Sequence, residues 1–240
     1  MKSKIVFSTI SALTIFVSTF STPATNALKG ESLFPYTSTV SDSTKNYEFS
    51  DLKNLKIETD RLIITPTDEE DRDKLSEYLL DKEVTKYLDP TLKDGFETKE
   101  QALSFLKTKG SDEFDYTLEF TVKLKDGAAP IGKLDLSLFK KLGSSSCTGV
   151  YLGYWLGREY QGKKYMSEAA VALCNEAFNA SDIQALYIVC NSSNTKSIGL
   201  AEKIFDSIEK INSNTRLYSK KFEDSGLAQL FLSKFEMFRE

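Results

Sequence analysis

Apolar and polar positions alternate from Ile57 to Thr65, and the β-branched residues among them predict a first strand, closed by Pro66. Thr67-Asp68-Glu69-Glu70 then gives a capping pattern, and Leu75, Leu79 and Leu80 follow at helical spacing, which predicts a helix. A second helix is predicted from Thr98 to Lys107, opened by Thr98 with Gln101 three residues on. Tyr116–Leu124, Ile131–Phe139 and Val150–Leu156 read as three strands, and Lys125-Asp126-Gly127 is the turn between the first two. An Ala-rich helix is predicted over Ser167–Asn179, a strand over Ile183–Cys190 and a helix over Thr195–Phe205. Weaker alternation from Ile208 to Phe238 suggests a final strand pair. The order is β-α-α-β-β-β-α-β-α-β-β, a mixed α/β arrangement with no internal repeat.

Before this pattern lies a different kind of chain. Lys2 and Lys4 precede an apolar stretch from Ile5 to Phe20, followed by Pro23 and Thr25-Asn26-Ala27, the layout of a secretory signal peptide cleaved after Ala27. An uncleaved anchor is the alternative, although the stretch carries six Ser and Thr and falls short of the ~20 apolar residues that a spanning helix needs. Residues 28–51, rich in Ser, Thr, Asn and Lys, are expected to form a flexible arm, and residues 52–240 a single domain.

Loss of Lys2 and Lys4 with the leader takes the formal charge from −4 to −6, which argues against nucleic acid or an anionic membrane held by bulk electrostatics. The three cysteines, Cys147, Cys174 and Cys190, match neither a disulfide framework nor a metal site. Cys174 and Cys190 fall in apolar segments and read as core thiols.

Basic character is local. Gln161-Gly162-Lys163-Lys164-Tyr165-Met166 follows the strand ending in Tyr154-Trp155-Leu156 and opens the Ala-rich helix. A strand, a basic turn and a helix start form an anion cradle, because the first helical turn presents unpaired N–H groups and the positive end of the helix dipole. Taken alone, Lys163 and Lys164 could equally be a solvated pair, and Glu168 reads most simply as dipole compensation.

Gly153-Tyr154-Trp155-Leu156, Tyr160-Gln161-Gly162-Lys163-Lys164-Tyr165-Met166-Ser167-Glu168-Ala169, Asn194-Thr195-Lys196-Ser197 and Glu202-Lys203-Ile204-Phe205, in this order of elements, resemble the GNAT superfamily of acetyl-CoA-dependent N-acetyltransferases. Together with Ile57-Glu58-Thr59-Asp60-Arg61-Leu62, they look most like the branch that acetylates N-terminal amines of ribosomal proteins. The resemblance covers about residues 55 to 205. It implies an α/β (α+β) fold with a mostly antiparallel central sheet, helices on both faces and a splayed strand pair. It further implies that acetyl-CoA is the co-substrate, with no metal, and that the acetyl group passes directly to a primary amine on a protein N-terminus, a lysine or a small molecule. The turn Gln161–Met166 would wrap the pyrophosphate, Trp155 and Leu156 would hold the pantetheine arm, and Asn194 would hydrogen-bond it. Ser197 would protonate the leaving thiolate.

This chain departs from the family pattern at several positions. Lys164 stands where the turn has its second glycine, Met166 where it has a small residue, and Tyr151 where a carboxylate often takes the amine's proton. Ile204 also runs straight into Phe205 without the usual glycine. The chain has no histidine, so base candidates are Glu119, a water chain, Tyr151 or Tyr154. Alternation places Glu119 opposite Leu118 and Phe120, where it could simply face solvent. Tyr154 and Trp155 could serve packing alone, Ser197 a local hydrogen bond, and Asn194 a helix cap. A GNAT-fold binding module without turnover is therefore the rival reading, and a secreted structural or adhesive protein stands behind it. Acetyl-CoA is cytosolic, so an exported enzyme is expected to act in a host cytosol.

Overall fold

A computed structural model describes residues 36–39, 47–88, 92, 95–107, 116–140, 148–180, 183–205, 207–210 and 213–221. The expected leader, Cys147 and the tail beyond Lys221 lie outside the described residues.

Among the described residues nine strands form one sheet in the order β1-β2-β3-β4-β5-β6-β7-β9-β8. They are β1 (Tyr36–Ser38), β2 (Ile57–Thr59), β3 (Leu62–Pro66), β4 (Tyr116–Leu124), β5 (Pro130–Lys140), β6 (Thr148–Leu156), β7 (Ala185–Asn191), β8 (Ser207–Lys210) and β9 (Thr215–Lys221). All pairings are antiparallel except β6 with β7. The helices are α1 (Glu69–Tyr78), α2 (Lys82–Thr85), α3 (Lys99–Lys107), α4 (Tyr165–Asn179) and α5 (Thr195–Ile204).

The expected first strand is two strands. Thr59 accepts from the Leu62 amide at 3.0 Å through its hydroxyl, the chain reverses at Asp60-Arg61, and Ile57 faces Ile64 across the hairpin. Ile57 and Thr59 before the turn and Leu62 and Ile64 after it are buried, a step of three residues across the exposed Asp60-Arg61 that breaks the period of two. Part of the expected arm also belongs to the sheet unit: Tyr36–Ser38 pairs with β2, and Phe49 and Leu52 are buried in a 3-10 helix over Phe49–Asn54. The packed region therefore starts ahead of Leu52. Leu80, expected on the first helix, lies past its end and is exposed.

Helices cover both faces. Leu118, Phe120 and Val122 of β4, Leu134 and Leu136 of β5, and Leu152 of β6 pack with Ala169, Leu173 and Ala177 of α4 and Leu200 and Ile204 of α5 in the main core. The opposite face carries α1 and α3, where Leu75, Leu79, Ala102 and Leu106 enclose Trp155. Two ion pairs tie α1 to β4, Asp71 with Lys123 at 2.7 Å and Arg72 with Glu119.

Candidate active site

β6 and β7 pair at Gly149–Ala185, Val150–Leu186 and Tyr151–Tyr187, then part. Past Tyr151, β6 keeps β5 on one side as far as Leu156, while β7 keeps β9 on the other as far as Asn191. The facing edges are left open along residues 152–156, and the expected splayed pair is thus present. Gly132 permits the close approach of β5 to the end of this edge, since a Cβ there would stand 2.3 Å from the Trp155 carbonyl oxygen.

The cradle lies at the mouth of the split. Gly162 (φ 78) and Lys164 (φ 65) both adopt the left-handed region, so the turn keeps its shape although lysine replaces the second glycine. Such a residue costs about 1–2 kcal/mol. Lys164 is the N-cap residue of α4 and supplies no side-chain cap, which leaves first-turn amides for an outside acceptor. Lys163 and Lys164 are exposed. Gln161 donates to the Leu156 carbonyl at 3.1 Å and accepts from Lys196 at 2.9 Å, bracing the turn between β6 and α5. Met166 turns into the main core, which removes the crowding that a large residue in the turn would otherwise cause. Tyr165 lies under the Arg61 guanidinium, 4.6 Å from ring centre to Cζ.

Glu168 does more than offset a dipole. Its side chain is 3% exposed and accepts from Thr59 Oγ1 at 2.5 Å, from the Arg61 amide at 3.2 Å and from Arg61 Nε at 2.8 Å. Arg61 also donates from Nη1 to the Lys163 carbonyl at 3.1 Å. The β2–β3 hairpin is thereby latched onto the cradle. Sequence reading missed this role of Arg61, and its only signal was the position of Arg61 in the Thr59-Asp60-Arg61-Leu62 motif.

On the α5 side of the split, the Tyr154 hydroxyl is 2.8 Å from Ser197 Oγ, which is 3.1 Å from Cys190 Sγ. Burial holds all the protons in place here, raising the Tyr154 phenol well above its usual value and the Cys190 thiol to about 11. Tyr154 therefore stays protonated at neutral pH and is a poor base. Asn194 caps α5, accepting from the Ser197 amide at 3.2 Å through Oδ1, as its position before the helix allowed.

The opposite side corrects the expectation for Glu119. It neither faces solvent nor stands unengaged: one carboxylate oxygen meets Arg72 and the other accepts from Lys133 at 2.5 Å. Burial pushes Glu119 up, but Arg72 and Lys133 outweigh it and hold the carboxyl below its usual range. A carboxylate so engaged is a poor proton acceptor. Burial also raises the Tyr151 phenol far above its usual value, which removes it as a base. Neither Lys133 nor Asp135 was singled out from the sequence. Lys133 is buried between Glu119 and Asp135, 2.9 Å from Asp135 Oδ1.

Cradle, split and ion network line one cavity of about 1180 Å³, together with Val84, Tyr87 and Phe105. Trp155, Leu156, Gln161, Gly162, Lys164, Tyr165, Met166, Asn194 and Ser197 all reach it, as do Glu119 and Tyr154. Lys163 is not among the lining residues; its ammonium sits over the Tyr160 ring at 5.8 Å. Among the described residues no cluster of His, Cys, Asp and Glu is arranged to hold a metal.

The family model of the acetyltransferase (GNAT) domain matches residues 61–204. The chain belongs to the GNAT family. It is 30% identical over 151 residues, 62% of its length and 81% of the relative's, to the uncharacterized N-acetyltransferase YnaD of Bacillus subtilis (strain 168). Among solved structures, a GNAT-family acetyltransferase from Bacillus anthracis superposes with a TM-score of 0.53 at 22% identity, over 68% of this chain and 96% of the other. RimL, the ribosomal L7/L12 α-N-protein acetyltransferase, in complex with coenzyme A, gives 0.54 at 17% identity over 68% and 94%. This GNAT domain shares their fold, with the sheet and helix layers described above.

Proposed function

We propose that this GNAT protein is an acetyl-CoA-dependent N-acetyltransferase that moves an acetyl group to a primary amine by direct attack in a ternary complex. The observation that carries the proposal is the parting of β6 from β7 directly beside a left-handed, uncapped turn. In this scheme the amides from Gly162 to Met166 bind the pyrophosphate, with Lys163 and Lys164 adding charge. The open edge of β6 from Leu152 to Leu156 hydrogen-bonds the pantetheine arm as an added strand, and Asn194 lies along it. A backbone N–H near Trp155 polarises the acetyl carbonyl, and burial strengthens that interaction. The Tyr154–Ser197 hydroxyl pair protonates the departing thiolate. No step requires a metal.

A peptide N-terminal amine is the first acceptor to test, since RimL and its relatives of similar fold are described as acting on ribosomal-protein N-termini. Export through the expected leader, with action in a host cytosol, is part of the same proposal. The test is CoA release by the full chain with acetyl-CoA and three acceptors: peptides with free N-termini, an N-blocked lysine peptide and spermidine. Amine-dependent release with a matching gain of one acetyl group by mass supports the proposal. Binding of acetyl-CoA without release on any acceptor supports the rival, a module that holds the cofactor without turning it over.

A further inference from the structure

With Glu119, Tyr151 and Tyr154 removed as bases, two cavity-lining carboxylates are unused, the exposed Glu83 of α2 and Asp135 beside the opening edge of β6. We propose that Asp135 is the general base that takes the acceptor amine's proton, replacing from the neighbouring strand the carboxylate that β6 lacks at Tyr151. This rests on the acetyl-transfer reading above. Asp135 is the register partner of Gly153, two residues beyond the last β6 residue paired with β7. A Cβ built on Gly153 would lie 3.6 Å from Asp135 Cβ and 3.8 Å from Oδ2, so the carboxylate leans over the strand where its edge opens. Its side chain keeps 27% of its surface exposed and lines the cavity.

Alternation gives the two proton-handling groups opposite sides. Asp135 shares a face with Lys133 and Glu119, toward α1, whereas Tyr154 packs toward the main core and meets α5 through Ser197. The amine therefore enters from the α1–α3 side and the thiol leaves protonated on the α5 side. In the reaction Asp135 takes one proton from the bound ammonium, the freed amine nitrogen bonds to the acetyl carbon, and its surplus N–H proton passes to water in the groove. The C–S bond breaks with its electron pair on sulfur, and the Tyr154–Ser197 pair protonates that thiolate. Exchange with water in the groove restores both groups.

The charges facing Asp135 favour this role. Burial raises its carboxyl above the usual aspartate value, Lys133 draws it back down in part, Glu119 directly across on β4 raises it, and Arg72 from α1 lowers it. Tyr151 on β6, on the same face as Asp135, is held protonated by burial, as is Cys190 of β7 on the α5 side. The result is a carboxylate more basic than Glu119, which its two cations keep ionised.

The test compares the full chain with Asp135→Asn, using acetyl-CoA and a peptide led by a free serine. At pH 7 the variant should lose about 10²-fold or more in kcat/KM for the peptide, the usual size of general-base catalysis, at an unchanged acetyl-CoA Kd. The loss should shrink at least tenfold by pH 9.5, where an α-amine of pKa near ~8 is already neutral. Activity within threefold of wild type at pH 7, or an equal loss at every pH, overturns the assignment of Asp135 alone. If Asp135→Asn fails to bind acetyl-CoA, Asp135→Glu decides: a displaced acid limb in the pH profile supports the assignment and an unmoved one overturns it. A wild type that binds acetyl-CoA and transfers nothing overturns both this assignment and the proposed activity.

Discussion

Replacing Arg61 with alanine tests whether the hairpin latch sets the geometry of the cradle. Arg61 makes a salt bridge to Glu168, with Nη2 2.6 Å from Oε2, and donates to the Lys163 carbonyl. Removing one partner of a buried pair costs about 3–5 kcal/mol. Here the arginine side chain is 43% exposed, and Glu168 would keep Thr59 and the residue-61 amide, so about 2–3 kcal/mol is expected. For a domain of this size that is a drop of roughly 5–10 °C in Tm, measured by calorimetry. Loss of the hydrogen bond to the Lys163 carbonyl should also loosen the left-handed Lys164 and weaken acetyl-CoA binding about tenfold by titration calorimetry, equivalent to about 1.4 kcal/mol. In the Arg61→Ala, Glu168→Gln double variant the buried charge is gone, and stability should recover by about 1 kcal/mol or more relative to additivity. A Tm within 2 °C of wild type together with an acetyl-CoA Kd within twofold would refute the latch.

Lys164→Gly should raise stability by about 1 kcal/mol, because glycine takes positive φ without penalty, while acetyl-CoA binding weakens severalfold as the ammonium is lost; denaturant unfolding and titration calorimetry separate the two effects. Tyr154→Phe should lower kcat by about 10²-fold at an unchanged acetyl-CoA Kd. Ser197→Ala should cost less, because the phenol also donates to the Ser197 carbonyl at 3.3 Å; CoA-release kinetics measure both. Gly132→Ala should lose about 3 kcal/mol in denaturant unfolding, because its methyl would collide with the Trp155 carbonyl. Gly153→Ala, whose nearest neighbour is 3.6 Å away, should fold normally and show reduced turnover.

What the sequence made legible follows its periodicity. The strands β4, β5 and β6 and the helix α4 were read within two residues of their observed ends, because long alternating or Ala-rich runs carry strong signals. The β2–β3 reversal was missed because the β-branched run masks a break in phase: Ile57 and Thr59 are buried before the exposed Asp60 and Arg61, and Leu62 and Ile64 after them. The four-residue helix α2 and the three-residue strand β1 are too short for a period to register. At the site, the cradle was legible from local order; Ser197 came from the resemblance and Tyr154 as a base candidate, and their hydroxyl contact appeared only in the fold. The ion network was not: Arg72, Glu119, Lys133 and Asp135 come from three elements, and only the sheet register brings them together. Glu168 shows the same limit, because nothing local reveals that a helix-start carboxylate will be buried under a distant hairpin.

The proposed activity requires that the split and its cradle hold acetyl-CoA. Titration calorimetry of the full chain with acetyl-CoA and with S-acetylpantetheine, which lacks the pyrophosphate, repeated on a Lys163→Ala, Lys164→Ala double variant, tests it most directly. Micromolar binding of acetyl-CoA, far weaker binding of the truncated thioester and a marked loss in the double variant are expected. Equal binding of both thioesters, or no binding of either, would contradict the claim.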